Sequence, residues 1–240
     1  MNARNGVMAA EMIQMGFTGV YDTFDGDGNF LVAYADNPKG EELIKELGTR
    51  FEVMGTNIKK FCTGFPIQSP AEGLLILINK YDLKPDDIKS ITARLPESGA
   101  HTVNDREMPD INLQYLFAVA LLDGRISFEA AHSVERMTEP DVLELRSKMT
   151  LIGDPELTHA DPEWQSIVEI TTNDGRDLKE HVVSFKGKAD NPLTTEEVSE
   201  KALDLMEPGI GKTQSDKLID AINNLETLDS VRKLRPLLSV

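Results

Sequence analysis

Two adjacent lysines are the first residues whose types and spacing could do chemistry. Lys59 and Lys60 stand in "NIKKFCTGFPIQSPAEG", inside a chain that carries 25 Lys and Arg against 41 Asp and Glu, a net charge of -16. A few residues later the pattern predicts a helix starting at Ser69, with Ser69 and Glu72 as a capping box around Pro70. An ammonium beside the free N–H groups of a helix start makes an anion site, suited to a carboxylate. On composition alone the same stretch also reads as a surface lysine pair next to a capped helix. Cys62 lies two residues after Lys60. A nearby ammonium can lower a thiol pKa, yet a lone cysteine is more often a small buried hydrophobe, so Cys62 is not taken as a nucleophile.

Other motifs fail on their spacing. "GIGKT" resembles the end of a phosphate-binding loop, but its first glycine position is Met206 and the preceding segment is helical. "DTFDGDGNF" resembles a calcium loop. With Gly28 at the sixth position, the acidic ends fall on Thr23 and Tyr34, so a Gly/Asp turn is the better reading. His101, His132, His159 and His181 show no metal-ligand spacing, and one cysteine excludes an iron–sulfur or cysteine-rich metal site within the chain. No metal and no cofactor is expected.

The elements that must position Lys59 and Lys60 are legible in outline. "NARNGVMAAEMIQMGF" has apolar residues at helical spacing, with Gly16 as a stop. An ordered Gly/Asp loop follows, then a helix capped at Asn37 and stopped at Gly48. "DDIKSITARLP" predicts a strand with Ile91, Ala93 and Leu95 on one face. "PDINLQYLFAVALLDG" predicts a deeply buried helix ending at Gly124. Two short amphipathic helices and a strand near "MTLIGD" come next. "WQSIVEITTNDGRDLKEHVVSF" predicts a hairpin turning at Asn173–Arg176, with Val168, Ile170 and Thr172 alternating along the first strand and His181, Val183 and Phe185 along the return. Thr194 and Glu197 form a second capping box, and Leu218, Ile219, Ile222 and Leu225 mark a last amphipathic helix. This order gives an α+β fold flanked by helical segments. With 40% hydrophobic residues and a mean hydropathy of -0.29, the composition fits a soluble globular protein. The strong negative charge argues against binding nucleic acid. No apolar run approaches a membrane span and the start does not read as a signal peptide, so neither membrane nor secretion is expected and the compartment reads as cytoplasmic.

Taken in order, "IKKFCTGFPIQSPAEG", "DDIKSITARLP", "MPDINLQYLFAVALLDG" and "GKADNPLT" resemble the MmgE/PrpD family. That family includes 2-methylcitrate dehydratase, cis-aconitate decarboxylase and iminodisuccinate epimerase. "NARNGVMAA" resembles a helix near the middle of full-length members, so the match is to their C-terminal half. The resemblance implies three parts: a helical-domain fragment over 1–54, an α+β lid over 55–194, and C-terminal helices over 195–240 that return to the helical domain. It implies cofactor-independent lyase chemistry on small di- or tricarboxylates, beginning with proton abstraction next to a carboxylate. It also leads to the expectation of a separate N-terminal-half subunit, a homo-oligomer, or both.

By resemblance, Lys59 falls on the family's active-site lysine. Arg4 falls where related enzymes carry another site lysine; Arg keeps the charge and can clamp a carboxylate, but cannot shuttle a proton near neutral pH. The decarboxylase-type tyrosine falls near Ala100 and His101, so His101 is a substitute catalytic group, and Arg106 is placed to meet a second carboxylate. The ammonium of Lys59 is expected to point into a cleft between the lid and the helical part, with Gln68 and Ser69 beside that cleft as substrate contacts. Where some members carry a histidine soon after the lysine, this chain has "TGFPIQS", and the family's N-terminal Asp and His residues have no counterpart. The rival reading is a non-catalytic, self-associating structural or binding module.

Overall fold

In the computed structural model, which describes residues 2–239, the segment 1–54 and the segment 55–240 are separate units. The first carries α1 (Asn2–Gln14) and α2 (Phe30–Tyr34). The α1 helix stops where the apolar rhythm stops, at Gly16 with φ +97°. The side chain of Asn29 caps α2 by accepting from the Leu31 N–H at 2.8 Å. The stretch after Asn37 is a 3-10 turn, Gly40–Leu43, and not the expected longer helix. None of residues 3–54 is buried.

The second unit is built around one mixed sheet. Its elements run α3 (Gln68–Tyr81), β1 (Ile88–Leu95), α4 (Glu97–Val103), α5 (Leu113–Asp123), α6 (Phe128–His132), α7 (Pro140–Ser147), β2 (Met149–Gly153), α8 (Pro155–Thr158), β3 (Ser166–Thr172), β4 (Asp177–Val182), α9 (Thr195–Ile210) and α10 (Lys212–Asn223). The strand order is β2-β1-β3-β4. A parallel β1–β2 pair places Ile91 beside Met149, and antiparallel β1–β3 places Ile91 beside Ile170. The parallel pair requires a long crossover, and α4 to α7 supply it.

One face of the sheet is apolar and covered. Ile91, Ala93, Leu95, Val168 and Ile170 are buried there with Leu74 and Leu77 of α3. The helix lies close because residue 73 has no side chain: a Cβ on Gly73 would stand 3.1 Å from Val168 Cγ2 and 3.2 Å from Val182 Cγ2. The other face is charged, with Glu169 paired to Arg94 at 3.1 Å and to Lys179 at 3.2 Å. The α5 helix is buried from Leu113 to Leu121, capped by Asn112 at its start and by Gly124 in the left-handed region at its end. Thr194 and Glu197 form the expected capping box on α9.

Two further sequence expectations are corrected. Ser69 and Glu72 make no capping box, because a 3-10 turn over Phe65–Ile67 runs straight into α3 and shifts its start. On β4 the buried side chains are Leu178 and Val182, while His181 and Val183 are exposed. Phe185 is buried, but beyond the strand's end. No helix among the described residues is long and apolar enough to cross a membrane.

Candidate functional site

The loop bearing Lys59 is held along its length. At its start, the Ile58 N–H donates to the Gly187 carbonyl at 2.7 Å, and the Ala189 N–H donates to Asn57 Oδ1 at 3.1 Å. The Lys201 ammonium, on α9, donates to the carbonyl of Lys59 itself. Further along, Gln68 Oε1 accepts from the Phe61 N–H at 3.1 Å, while Gln68 Nε2 donates to the Phe61 carbonyl and to Thr63 Oγ1, both at 3.0 Å. At the far end the Gly64 N–H donates to the Asp110 carbonyl at 2.8 Å. The Lys59 side chain itself stays exposed and donates to the Thr63 carbonyl at 3.0 Å. An ammonium has three N–H donors, so two remain for a ligand.

Behind this loop lies a cleft of about 390 Å³. Lys60, Phe61 and Cys62 form one wall, the 124–128 turn another, and Glu200, Lys201 and Asp204 of α9 a third. The expectation that Lys59 points into the cleft is therefore corrected: Lys60 lines it, and Lys59 turns toward Thr63. The reason is the alternation of an extended segment, which sends neighbouring side chains opposite ways. Burial pushes the Cys62 thiol up, and Asp204 adds to this, while the ammonium groups of Lys201 and Lys59 pull it down; the net direction is upward. The α9 residues were missed by sequence reasoning. Their signal was a polar stripe at Glu197, Glu200, Lys201 and Asp204, the helical spacing that ordinarily marks a solvated face.

Gln68 and Ser69 do not face a ligand. Gln68 is 1% exposed with its amide taken by the loop, and Ser69 is 3% exposed with its Oγ 2.7 Å from Ser166 Oγ. The start of α3 is buried along with them, so it presents no outward anion site. Their positions are structural: Gln68 holds the Lys59 loop and Ser69 joins α3 to β3. His101 and Arg106 come together at the end of α4. The Arg106 guanidinium donates to the carbonyls of His101 and Thr102, each at 2.8 Å, and so closes the helix C-terminus. Both residues are exposed, and their segment is joined to the Lys59 loop through Gly64 and Asp110. Among the described residues no hydrogen bond links Lys59 to His101 or Arg106. Arg4 is exposed on α1, in a shallow groove with Val7, Met8 and Glu11 within the first unit. Among the described residues no group of His, Cys, Asp and Glu is arranged to hold a metal ion.

Comparison with known proteins matches the sequence of this chain to a family. Residues 61–227 match the model of the MmgE/PrpD C-terminal domain. Human cis-aconitate decarboxylase is 26% identical over 246 residues, covering 98% of this chain and 51% of that protein. The mouse cis-aconitate decarboxylase is 28% identical over 159 residues, 64% of this chain and 32% of that protein. A 2-methylcitrate dehydratase-like protein of Aspergillus oryzae is 31% identical over 158 residues, 59% of this chain and 31% of that protein. The chain spans about half the length of the first curated relatives it matches.

Proposed function

The chain belongs to the MmgE/PrpD family through its C-terminal domain, and from that we propose that it supplies the Lys59 side of a site where a small di- or tricarboxylate loses a proton next to a carboxylate, as the first step of a lyase reaction. Removing that proton builds negative charge on the neighbouring carboxylate, and a fixed cation lowers the barrier in proportion to how well it is held before the reaction. The observation that carries this reading is the construction around Lys59. Its backbone is bonded on both sides and at its own carbonyl, while its ammonium keeps two N–H donors free toward solvent. A surface lysine of no consequence would not need such a frame.

His101, the imidazole of the neighbouring segment, is proposed as a catalytic group of this site, and Arg106 as the group that meets a second carboxylate. Arg4 is proposed as a further carboxylate contact. The general base is proposed to come from residues equivalent to the half of the relatives that this chain does not span, in the same polypeptide or a second one, and assembly with that half or with further copies of the chain belongs to the same reading. The reaction proposed is elimination of the 2-methylcitrate dehydratase kind, without a cofactor.

The test compares Lys59→Ala with Lys60→Ala. Citrate, as a tricarboxylate probe, is titrated into each variant together with the region equivalent to the other half of the relatives. A charge-assisted contact contributes about 1.5–3 kcal/mol, and about 1.4 kcal/mol is a decade in affinity, so Lys59→Ala should weaken binding tenfold or more. Lys60→Ala should cost much less, because neighbouring side chains on an extended segment face opposite ways, and Lys60 turns away from the side on which the Lys59 ammonium meets Thr63. Equal losses would mean a diffuse charge effect, and no loss in either would return Lys59 to the surface.

A further inference from the structure

The turn that follows β4, in "SFKGKADNP", is bonded to the Lys59 loop, to α3 and to α9. It is braced internally: Ser184 Oγ donates to Asp190 Oδ2 at 2.9 Å, Asn191 Nδ2 donates to the Ser184 carbonyl at 2.8 Å, and the Gly187 N–H donates to the Asn191 carbonyl at 2.8 Å. It is also tied to two helices. The Lys186 N–H donates to Glu72 Oε2 on α3 at 2.6 Å, and the Lys186 ammonium pairs with Glu197 on α9 at 3.1 Å. From this braced position it takes hold of residues 57 and 58, immediately before Lys59. Gly187 sits at the point of closest approach with φ +102°, and a Cβ there would overlap the Ile58 carbonyl oxygen and stand 3.6 Å from the Lys60 N. Both the conformation and the space exclude any side chain.

We propose that the turn from Ser184 to Pro192 is the clamp that sets the backbone of Lys59, with Gly187 as its positioning residue. The clamp deepens the reading that Lys59 is the cation of the site and rests on it for its catalytic meaning. Gly187 touches no ligand. It acts through the Ile58 N–H, by letting two backbones meet where a methyl group would push the Lys59 segment outward.

The experiment uses the full chain, isotopically labelled for amide NMR, with Gly187→Ala, Asn57→Ala and Val142→Ala compared. Val142 is fully buried on α7 and serves as a variant that destabilises without touching the clamp. In Gly187→Ala the amide signals of Ile58 to Gly64 should move while those of β1 and β3 stay, and citrate affinity, titrated with the region equivalent to the other half of the relatives present, should fall about tenfold. Asn57→Ala removes an exposed side chain that accepts from the turn, so it should fold and move the same signals less. Val142→Ala should lower the melting temperature and leave them in place. If Gly187→Ala does not fold, Asn57→Ala decides alone. Unmoved Ile58–Gly64 signals in the folded clamp variants overturn the clamp. The shifts are read without ligand, so a chain that never binds a carboxylate sinks the proposed function while leaving the clamp to stand or fall on its own.

Discussion

Cys62 shows two lysines competing with burial and losing. Lys60, two residues away, suggested a lowered thiol pKa; in the structure the ammonium groups that act on it are Lys201 and Lys59, and desolvation together with Asp204 outweighs them. The thiolate is the form that reacts. The rate of iodoacetamide alkylation at Cys62 should therefore rise with a midpoint above that of a free thiol. Lys201→Gln removes a group that lowers the pKa, so the midpoint should move higher still; Asp204→Asn should move it lower. A midpoint that ignores Lys201→Gln would mean that the ammonium does not face the sulfur. Gln68 and Ser69 teach a related lesson about legibility. Polar residues before an apolar helix fit a cap and fit an interior tie equally well in a sequence. Here the 3-10 turn at Phe65–Ile67 takes over the start of the helix, which frees Ser69 for Ser166 and Gln68 for the loop.

Among the elements, those governed by a single period were readable and those that change period were not. The alternation in β1 put Ile91, Ala93 and Leu95 inside, and the apolar run of α5 between Asn112 and Gly124 put a whole helix inside, as the sequence leads one to expect. On β4 apolar residues occur at both parities. The chain leaves the strand after Val182, so Phe185 turns inward an odd number of residues later and drags a sequence-based phase to the wrong face. Substitution separates the two phases. Val182→Asp would place a carboxylate where the side chain is 6% exposed and should cost about 3 kcal/mol or more in urea unfolding. Val183→Asp, at 45% exposure, should stay within about 0.5 kcal/mol. The reverse order would restore the phase read from the sequence. The α9 wall of the cleft was hidden for a different reason: a polar stripe on a helix reads as a solvated face until a second wall stands opposite it.

At the scale of the molecule, the α+β class followed from the order of elements, and the four strands with their mixed pairing bear it out. The first unit was less legible. The apolar spacing of α1 predicts a helix that packs, and the helix forms, yet Val7, Met12 and Ile13 are each more than a third exposed. Helical period comes from the local sequence, whereas burial needs a surface that the period does not identify.

The missing side chain of Gly73 has a consequence for how the molecule breathes. Its close seat on Val168 and Val182 joins α3 to β3 and β4, and Gln68 on that same helix grips Phe61. A loop fastened this way does not open by itself; it opens when the helix lifts from the sheet. The Phe61 amide should then trade its hydrogen for deuterium about as slowly as the amides of β3, as one cooperative unit, although it belongs to a loop. Gly73→Ala should hasten both by the same factor. A Phe61 amide that exchanges orders of magnitude faster than β3 would show that the lysine loop moves on its own clock.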